Sequence, residues 1–199
     1  MKLKSLSQQK IVLASEAKWR SDILKKLQIP HECFNHQYEE PKYSGGKLAD
    51  FVINVAVQKA LSIQNLFPDH IIIAADQLIE LNETVLGKPG NFDRAFNQLS
   101  LMNGKDHQLI CAVSVVYKNQ VLKDVEIASI KMRQLEKQEI VNYLNHDQPF
   151  NCAGSYKIES LGGALFESVQ INDLNTIVGI PGNLLISILR KLGFSNLLK

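Results

Sequence analysis

The chain has 199 residues, 45% of them hydrophobic and 21% charged, with 22 basic against 20 acidic side chains and a formal net charge of +2. That length suits one domain spanning residues 1–199, at most pinched into two lobes, with enough apolar side chains to bury a core. The near-balance of charge excludes a nucleic-acid coat or a polybasic membrane binder, so a basic site here must be a local cluster aimed at something small and anionic.

Lys10 to Ser15 is a short apolar run closed by a small polar residue and reads as a buried first strand. Trp19, Ile23, Leu24 and Leu27 recur at helical spacing, and Pro30 ends that helix. Gln37 to Gly46, with two acids, Pro41 and paired glycines, is loop. An amphipathic helix is predicted over 46–63, from apolar residues at 48, 51, 52, 55, 56, 60 and 61. His70 to Ala75 is a β-branched run typical of a strand buried on both faces, with Asp76 at its C-terminal end. After the Gly87-Lys-Pro-Gly90 turn, Asn91 caps a helix reaching about Met102. Gln108 to Tyr117 and Val121 to Arg133 form a hairpin around Lys118-Asn119-Gln120. Glu136 to Asn145 is helical, Asn151 to Val169 reads as short strands separated by glycines, and Pro181 opens a last helix ending near Leu192. The order implies an α/β fold with a mixed sheet, since the hairpin is antiparallel while the early units suggest parallel crossovers.

Cys33, Cys111 and Cys152 lie far apart with no metal or redox spacing, which fits reduced thiols in the cytoplasm. His31 beside Cys33 supplies two ligands at most, and two ligands are not a metal site. The first ten residues lack the apolar stretch of a signal peptide, and no apolar run approaches the ~20 residues that cross a bilayer, so the expectation is a soluble protein without a membrane partner.

Polar residues gather where strands end and the next helix starts, the rim at which open α/β sheets bind ligands. Ser15 and Arg20 flank the first such junction, Asp76 and Gln77 the second, and Lys88 sits in a glycine-bounded turn of the kind that approaches phosphates. Taken alone, Arg20 and Lys59 read as solvated helix faces. Asp76 differs, because a carboxylate directly after an apolar run is costly unless it is capped, paired or metal-bound.

Five segments together carry a resemblance. Leu13-Ala-Ser-Glu-Ala-Lys-Trp-Arg20, Ala74-Ala-Asp-Gln77, Gly87-Lys-Pro89, Cys152-Ala-Gly-Ser-Tyr-Lys-Ile-Glu159 and Asp173-Leu-Asn-Thr-Ile-Val-Gly-Ile-Pro181 resemble, in order, the motifs of the Maf proteins, over about residues 11 to 190. The resemblance implies an elongated mixed sheet flanked by helices, with the active site in a cleft between two lobes. It implies a nucleoside triphosphate pyrophosphatase, in which water attacks the α-phosphate with Mg2+ or Mn2+ present. It also suggests a homodimer.

Under that reading Arg20, Lys59 and Lys88 neutralise the triphosphate, Arg20 by a bidentate grip and the lysines as point charges, and Ser15 adds a hydroxyl. Asp76 matches the family's proton acceptor. Asp76 and Glu40 are the carboxylates for a hard divalent cation, Glu40 because it falls where the family has a loop glutamate. Asp173 orders the loop or cap at the final helix. Trp19, Gln77 and Glu159 stand where many Maf proteins carry arginine, threonine and glutamine, a combination that resembles the subclass preferring 7-methyl-GTP over dTTP and UTP. An indole face attracts the cationic methylated ring, and a carboxylate accepts from guanine N1–H and the exocyclic amine. Trp19 reads otherwise as a core residue one turn before Ile23. The sequence departs from the family pattern at Ala17-Lys18, where Ser-Pro is usual, and at Ser160, where glycine is usual. Two alternatives remain: a pyrophosphatase for UTP, dTTP or another non-standard nucleotide, and a nucleotide-binding regulator of cell division without turnover.

Overall fold

The computed structural model describes residues 3–198, whose contacts divide into two compact units. The first holds 1–76, 111–126 and 173–199; the second holds 77–110 and 127–172.

In chain order the elements are β1 (Lys4–Ser5), β2 (Ile11–Leu13), α1 (Lys18–Lys26), β3 (Glu32–Cys33), α2 (Leu48–Leu61), β4 (Ile71–Leu81), β5 (Thr84–Leu86), α3 (Phe92–Met102), β6 (Asp106–Tyr117), β7 (Gln120–Met132), α4 (Lys137–Asp147), β8 (Phe166–Gln170), α5 (Asn175–Val178), α6 (Gly182–Lys191) and β9 (Phe194–Ser195). Seven strands form one mixed sheet in the order β3-β2-β4-β6-β7-β8, with β5 paired to β4. β2 runs parallel to both β3 and β4, whereas β4–β5 and β7–β8 are antiparallel. β1 and β9 make a separate parallel pair.

Strand alternation sorts the core of the first unit into two layers. Ile11 and Leu13 of β2, Ile71 and Ile73 of β4, and Val113 and Val115 of β6 pack with Ile23 and Leu24 of α1 and Leu185, Ile188 and Leu189 of α6. The intervening Val12, Ile72, Ala74 and Val116 turn to the opposite face, against Ala60 and Ile63. Helices therefore cover both faces of these central strands, which explains their unbroken apolar runs. In the second unit, Ala95, Leu99 and Met102 of α3 and Ile140, Tyr143 and Leu144 of α4 are buried. There His107, Tyr156 and Phe166 form an aromatic cluster with ring centroids 4.8 to 6.2 Å apart.

Two expectations need correction. β4 does not stop at residue 75 but continues to Leu81, because it pairs with β5 across a tight turn at Asn82 and Glu83, whose φ values are 47° and 64°. Glu83 replaces the glycine that normally announces such a turn, so local sequence hides the hairpin. The stretch 151–169 is not a series of short strands: it holds 3-10 turns at Ala153–Ser155 and Leu161–Leu165, and only β8 follows. His31 is engaged in local hydrogen bonds. Its Nδ1 donates to the Ile29 carbonyl at 2.9 Å, leaving Nε2 to accept from the Ser21 hydroxyl at 2.8 Å. Among the described residues, no helix is long and apolar enough to cross a membrane.

Candidate active site

α2 and β4 position the polar centre of the first unit. Lys59, in the last turn of α2, is only 3% exposed, which corrects its reading as a solvated helix face. Its Nζ donates to Asp76 Oδ1 at 2.7 Å and stands 2.8 Å from Glu40 Oε1. Asp76 continues the Ile72–Ala74 side of β4, where a buried carboxylate without a cation would be costly. It therefore lies inside a strand rather than at its end. Glu40 comes from the loop before α2, and its side chain is half-exposed. One ammonium thus gathers two carboxylates from separate parts of the chain.

His36 adjoins this centre and is absent from the sequence reading. Its Nε2 stands 3.5 Å from Glu40 Oε1. Burial, and next the Lys59 charge, hold the imidazole below its ordinary range, with Glu40 pulling the other way. Spacing gives little warning of it, because His36 and Glu40 lie on an irregular segment rather than one helix face.

The first and last motifs meet at Arg20. The residue is half-buried on α1, and its Nε donates to the Gly179 carbonyl at 3.2 Å, so its terminal amino groups are the ones that can grip an anion. Asp173 organises the other side as expected. One carboxylate oxygen accepts from the Asn175 backbone and side-chain amides at 2.9 and 2.8 Å, and the other accepts from Asn183 N–H at 2.8 Å, in the first turn of α6. Thr176 is fixed in turn by donating to buried Glu126 Oε2 at 2.5 Å. Glu126 was also missed, although a signal exists: it shares the period-2 register of Ala128, Ile130 and Met132, the buried side of β7. Burial pushes the Cys111 thiol up to about 12; Arg20 opposes that shift, while Asp76, Glu126 and Asp173 add to it. Those four charges therefore share one neighbourhood, and Cys111 is chemically inert.

Ser15 is buried, and its Oγ accepts from Ala17 N–H at 3.2 Å. Ala17, where the family pattern has serine, stands at the N-cap of α1 and offers no side-chain acceptor. Trp19 is half-buried, one helical turn before fully buried Ile23, so its indole is not enclosed in the core.

The other candidates belong to the second unit. Lys88 is exposed in its turn, with Pro89 buried beside it. Glu159 is exposed, and Gln77 is half-buried. Burial raises the Cys152 thiol; Lys157 and Lys88 oppose the shift and Glu159 and Asp147 support it, so Lys88 and Glu159 both lie within electrostatic reach of one side chain.

Among the described residues, no group of three or more His, Cys, Asp or Glu is gathered closely enough to cage a metal. Glu40 and Asp76 nevertheless point carboxylate oxygens at a common atom. That atom is the Lys59 ammonium; as hard oxygen donors the two carboxylates match the ligand type of a cation such as Mg2+, which keeps several waters instead of requiring an all-protein cage.

The mixed sheet with helices on both faces of its central strands is an α/β fold similar to that of the Staphylococcus aureus Ham1 protein, which superposes with a TM-score of 0.51, covering 92% of this chain and 99% of that one at 14% identity. More narrowly, the chain belongs to the Maf family, since the profile described as Maf-like protein matches residues 10–192. The 7-methyl-GTP pyrophosphatase of Colwellia psychrerythraea is 36% identical over 185 residues, 92% of each chain. Proteins of the same name from Pseudomonas savastanoi and Xanthomonas axonopodis are 32% and 33% identical, each over 93% of this chain and 97% of theirs.

Proposed function

We propose that this chain is a nucleoside triphosphate pyrophosphatase that hydrolyses 7-methyl-GTP to 7-methyl-GMP and pyrophosphate. The observation that carries the reading is the buried Lys59 between Asp76 and Glu40. It joins a potential base, a phosphate-compatible cation and an oxygen donor pair in one place, in a chain similar over nearly its whole length to proteins bearing that activity in their names.

Asp76 acts as the base. Its Oδ1 is held by Lys59, so the proton of the attacking water passes to Oδ2 as the oxygen closes on the α-phosphorus and pyrophosphate departs. Lys59 orients that carboxylate and offers its charge to the phosphates. Arg20 and Lys88 balance the remaining charge, Arg20 through its terminal amino groups, and the Ser15 hydroxyl contributes a further contact. Glu40 and Asp76 would hold a divalent cation, Mg2+ or Mn2+, whose charge would neutralise the phosphates.

Trp19, Gln77 and Glu159 select the base. The indole stacks on the cationic 7-methylguanine ring, an attraction of about 1–2 kcal/mol when desolvated. The Glu159 carboxylate accepts from the Watson–Crick edge and favours the positive ring. Neither feature favours a neutral pyrimidine. A cytoplasmic location and a homodimer belong to the same reading.

Pyrophosphate release is to be measured with Mg2+ for 7-methyl-GTP, GTP, UTP, dTTP and CTP, with Asp76→Asn as the blank. Fast release from 7-methyl-GTP, lost in Asp76→Asn, is the expected result. Preference for UTP or dTTP overturns the substrate assignment. Tight nucleotide binding without turnover, unchanged in Asp76→Asn, points to a regulator instead.

A further inference from the structure

Glu159 lies in a loop that is pinned on both sides to the C-terminal end of α4. Before it, the Lys157 backbone N–H donates to the Tyr143 hydroxyl at 2.9 Å, and Lys157 Nζ donates to the Asp147 carbonyl at 2.6 Å. After it, the Ser160 hydroxyl donates to Asp147 Oδ1 at 2.8 Å, and Gly162 N–H donates to Asp147 Oδ2 at 3.2 Å. His146 Nδ1 lies 2.9 Å from the same Oδ1. Asp147 is 7% exposed, so this carboxylate is a buried anchor rather than a solvated surface group.

The local backbone fits such a clasp. Gly162 passes so close to the loop start that a Cβ there would come 2.2 Å from the Lys157 carbonyl oxygen. Ser160, where the family pattern has glycine, has φ −125°, outside the positive-φ range that favours glycine. The substitution therefore leaves the loop's path available and adds a hydrogen bond to an anion, a stronger kind than one between neutral groups. The only side chain between the two pinned residues besides Ile158 is Glu159 itself, which is exposed.

We propose that Ser160 and Asp147 are specificity-positioning residues, whose hydrogen bond holds Glu159 where its carboxylate meets the cationic purine. The inference rests on the assignment of Glu159 to base recognition made above. Ser160 touches no reacting atom. It acts by reducing the number of loop conformations that must be given up when the nucleotide binds, so its effect falls on affinity for the methylated base and not on the chemical step.

The test is steady-state kinetics on 7-methyl-GTP and GTP, with calorimetric binding of 7-methyl-GMP, for Ser160→Ala, Ser160→Thr, Glu159→Gln and the Glu159→Gln/Ser160→Ala double variant. Ser160→Ala is expected to raise KM for 7-methyl-GTP and Kd for 7-methyl-GMP by roughly three- to tenfold and KM for GTP by less, because GTP lacks the positive ring, while kcat stays within about twofold. Ser160→Thr restores the wild-type values. In the Glu159→Gln background, Ser160→Ala has no further effect, because the clasp works through that carboxylate. An equal change for both nucleotides, a full additive loss in the double variant, or no change at all overturns the proposal. Glu159→Gln reports separately on the assignment beneath it. If that variant keeps full selectivity, both the base reading and the clasp fall; if it loses selectivity while Ser160→Ala is silent, only the clasp falls.

Discussion

Replacing Lys59 by methionine tests whether the buried ion pair exists for function rather than for stability. Lys59 and Asp76 are 3% and 6% exposed, and their contact is 2.7 Å. Removing the ammonium leaves a carboxylate inside the sheet without its cation, a change that costs about 3–5 kcal/mol in comparable buried pairs. At this chain length that lowers Tm by roughly 6–20 °C. The reverse substitution, Asp76→Asn, costs less, because Glu40 at 2.8 Å still faces the Lys59 ammonium. Lys59→Met/Asp76→Leu removes both charges together and regains most of the loss, to within about 1 kcal/mol of wild type, since an apolar pair of similar volume needs no compensation. Activity is abolished in all three variants. Urea unfolding followed by far-UV circular dichroism reads the stabilities, and pyrophosphate release reads the activity. A Lys59→Met variant as stable as wild type refutes the claim that Asp76 is buried against this one cation. A double variant less stable than Lys59→Met shows that the pair holds the fold together.

Three further outcomes follow from the second unit and the last motif. Burial pushes His107 down to about 4 from 6.5, so the folded protein keeps it neutral where the unfolded chain takes up a proton. Stability is therefore full above pH 6.5 and falls as the pH drops toward 4, by about 2–3 kcal/mol between pH 7.5 and 4.5, and His107→Gln should flatten that loss in urea midpoints taken at both pH values. An identical loss in the variant counts against the assignment. Gly162→Ala should destabilise by at least about 2 kcal/mol, because the clash is with backbone that cannot swing away; a thermal melt unchanged from wild type contradicts the geometry. Asp173→Ala removes acceptors from Asn175 and Asn183 and should cost about 1–2 kcal/mol, read by denaturant unfolding, whereas Asp173→Asn, which keeps an acceptor, should cost less.

Much of the molecule is legible from its amino-acid order. Unbroken apolar runs mark β2 and β6, which are buried on both faces, while apolar residues at period 2 and period 3.6 mark β7 and the main helices, because backbone geometry imposes those periods wherever one side of an element is buried. The Asn91 cap and the role of Asp173 are likewise local, set by side chains two to ten residues from the amides they accept from. The oddity of a carboxylate after an apolar run was enough to single out Asp76, and family motifs in register were enough to name the chemistry.

What the sequence by itself could not determine are the partners. Lys59 looks like a solvated helix face until α2 is laid against β4, where it meets Asp76 17 positions away. Ser160 looks like a simple loss of glycine until α4 delivers Asp147, 13 positions back. His36 becomes notable only when Glu40 is brought to it, and the partner of Glu126 only when Thr176 is. Local spacing encodes the period of each element and the side that turns inward. Which charge meets which depends on how separate elements pack, and the cost of burying an unpaired charge selects the packing in which each one finds its partner.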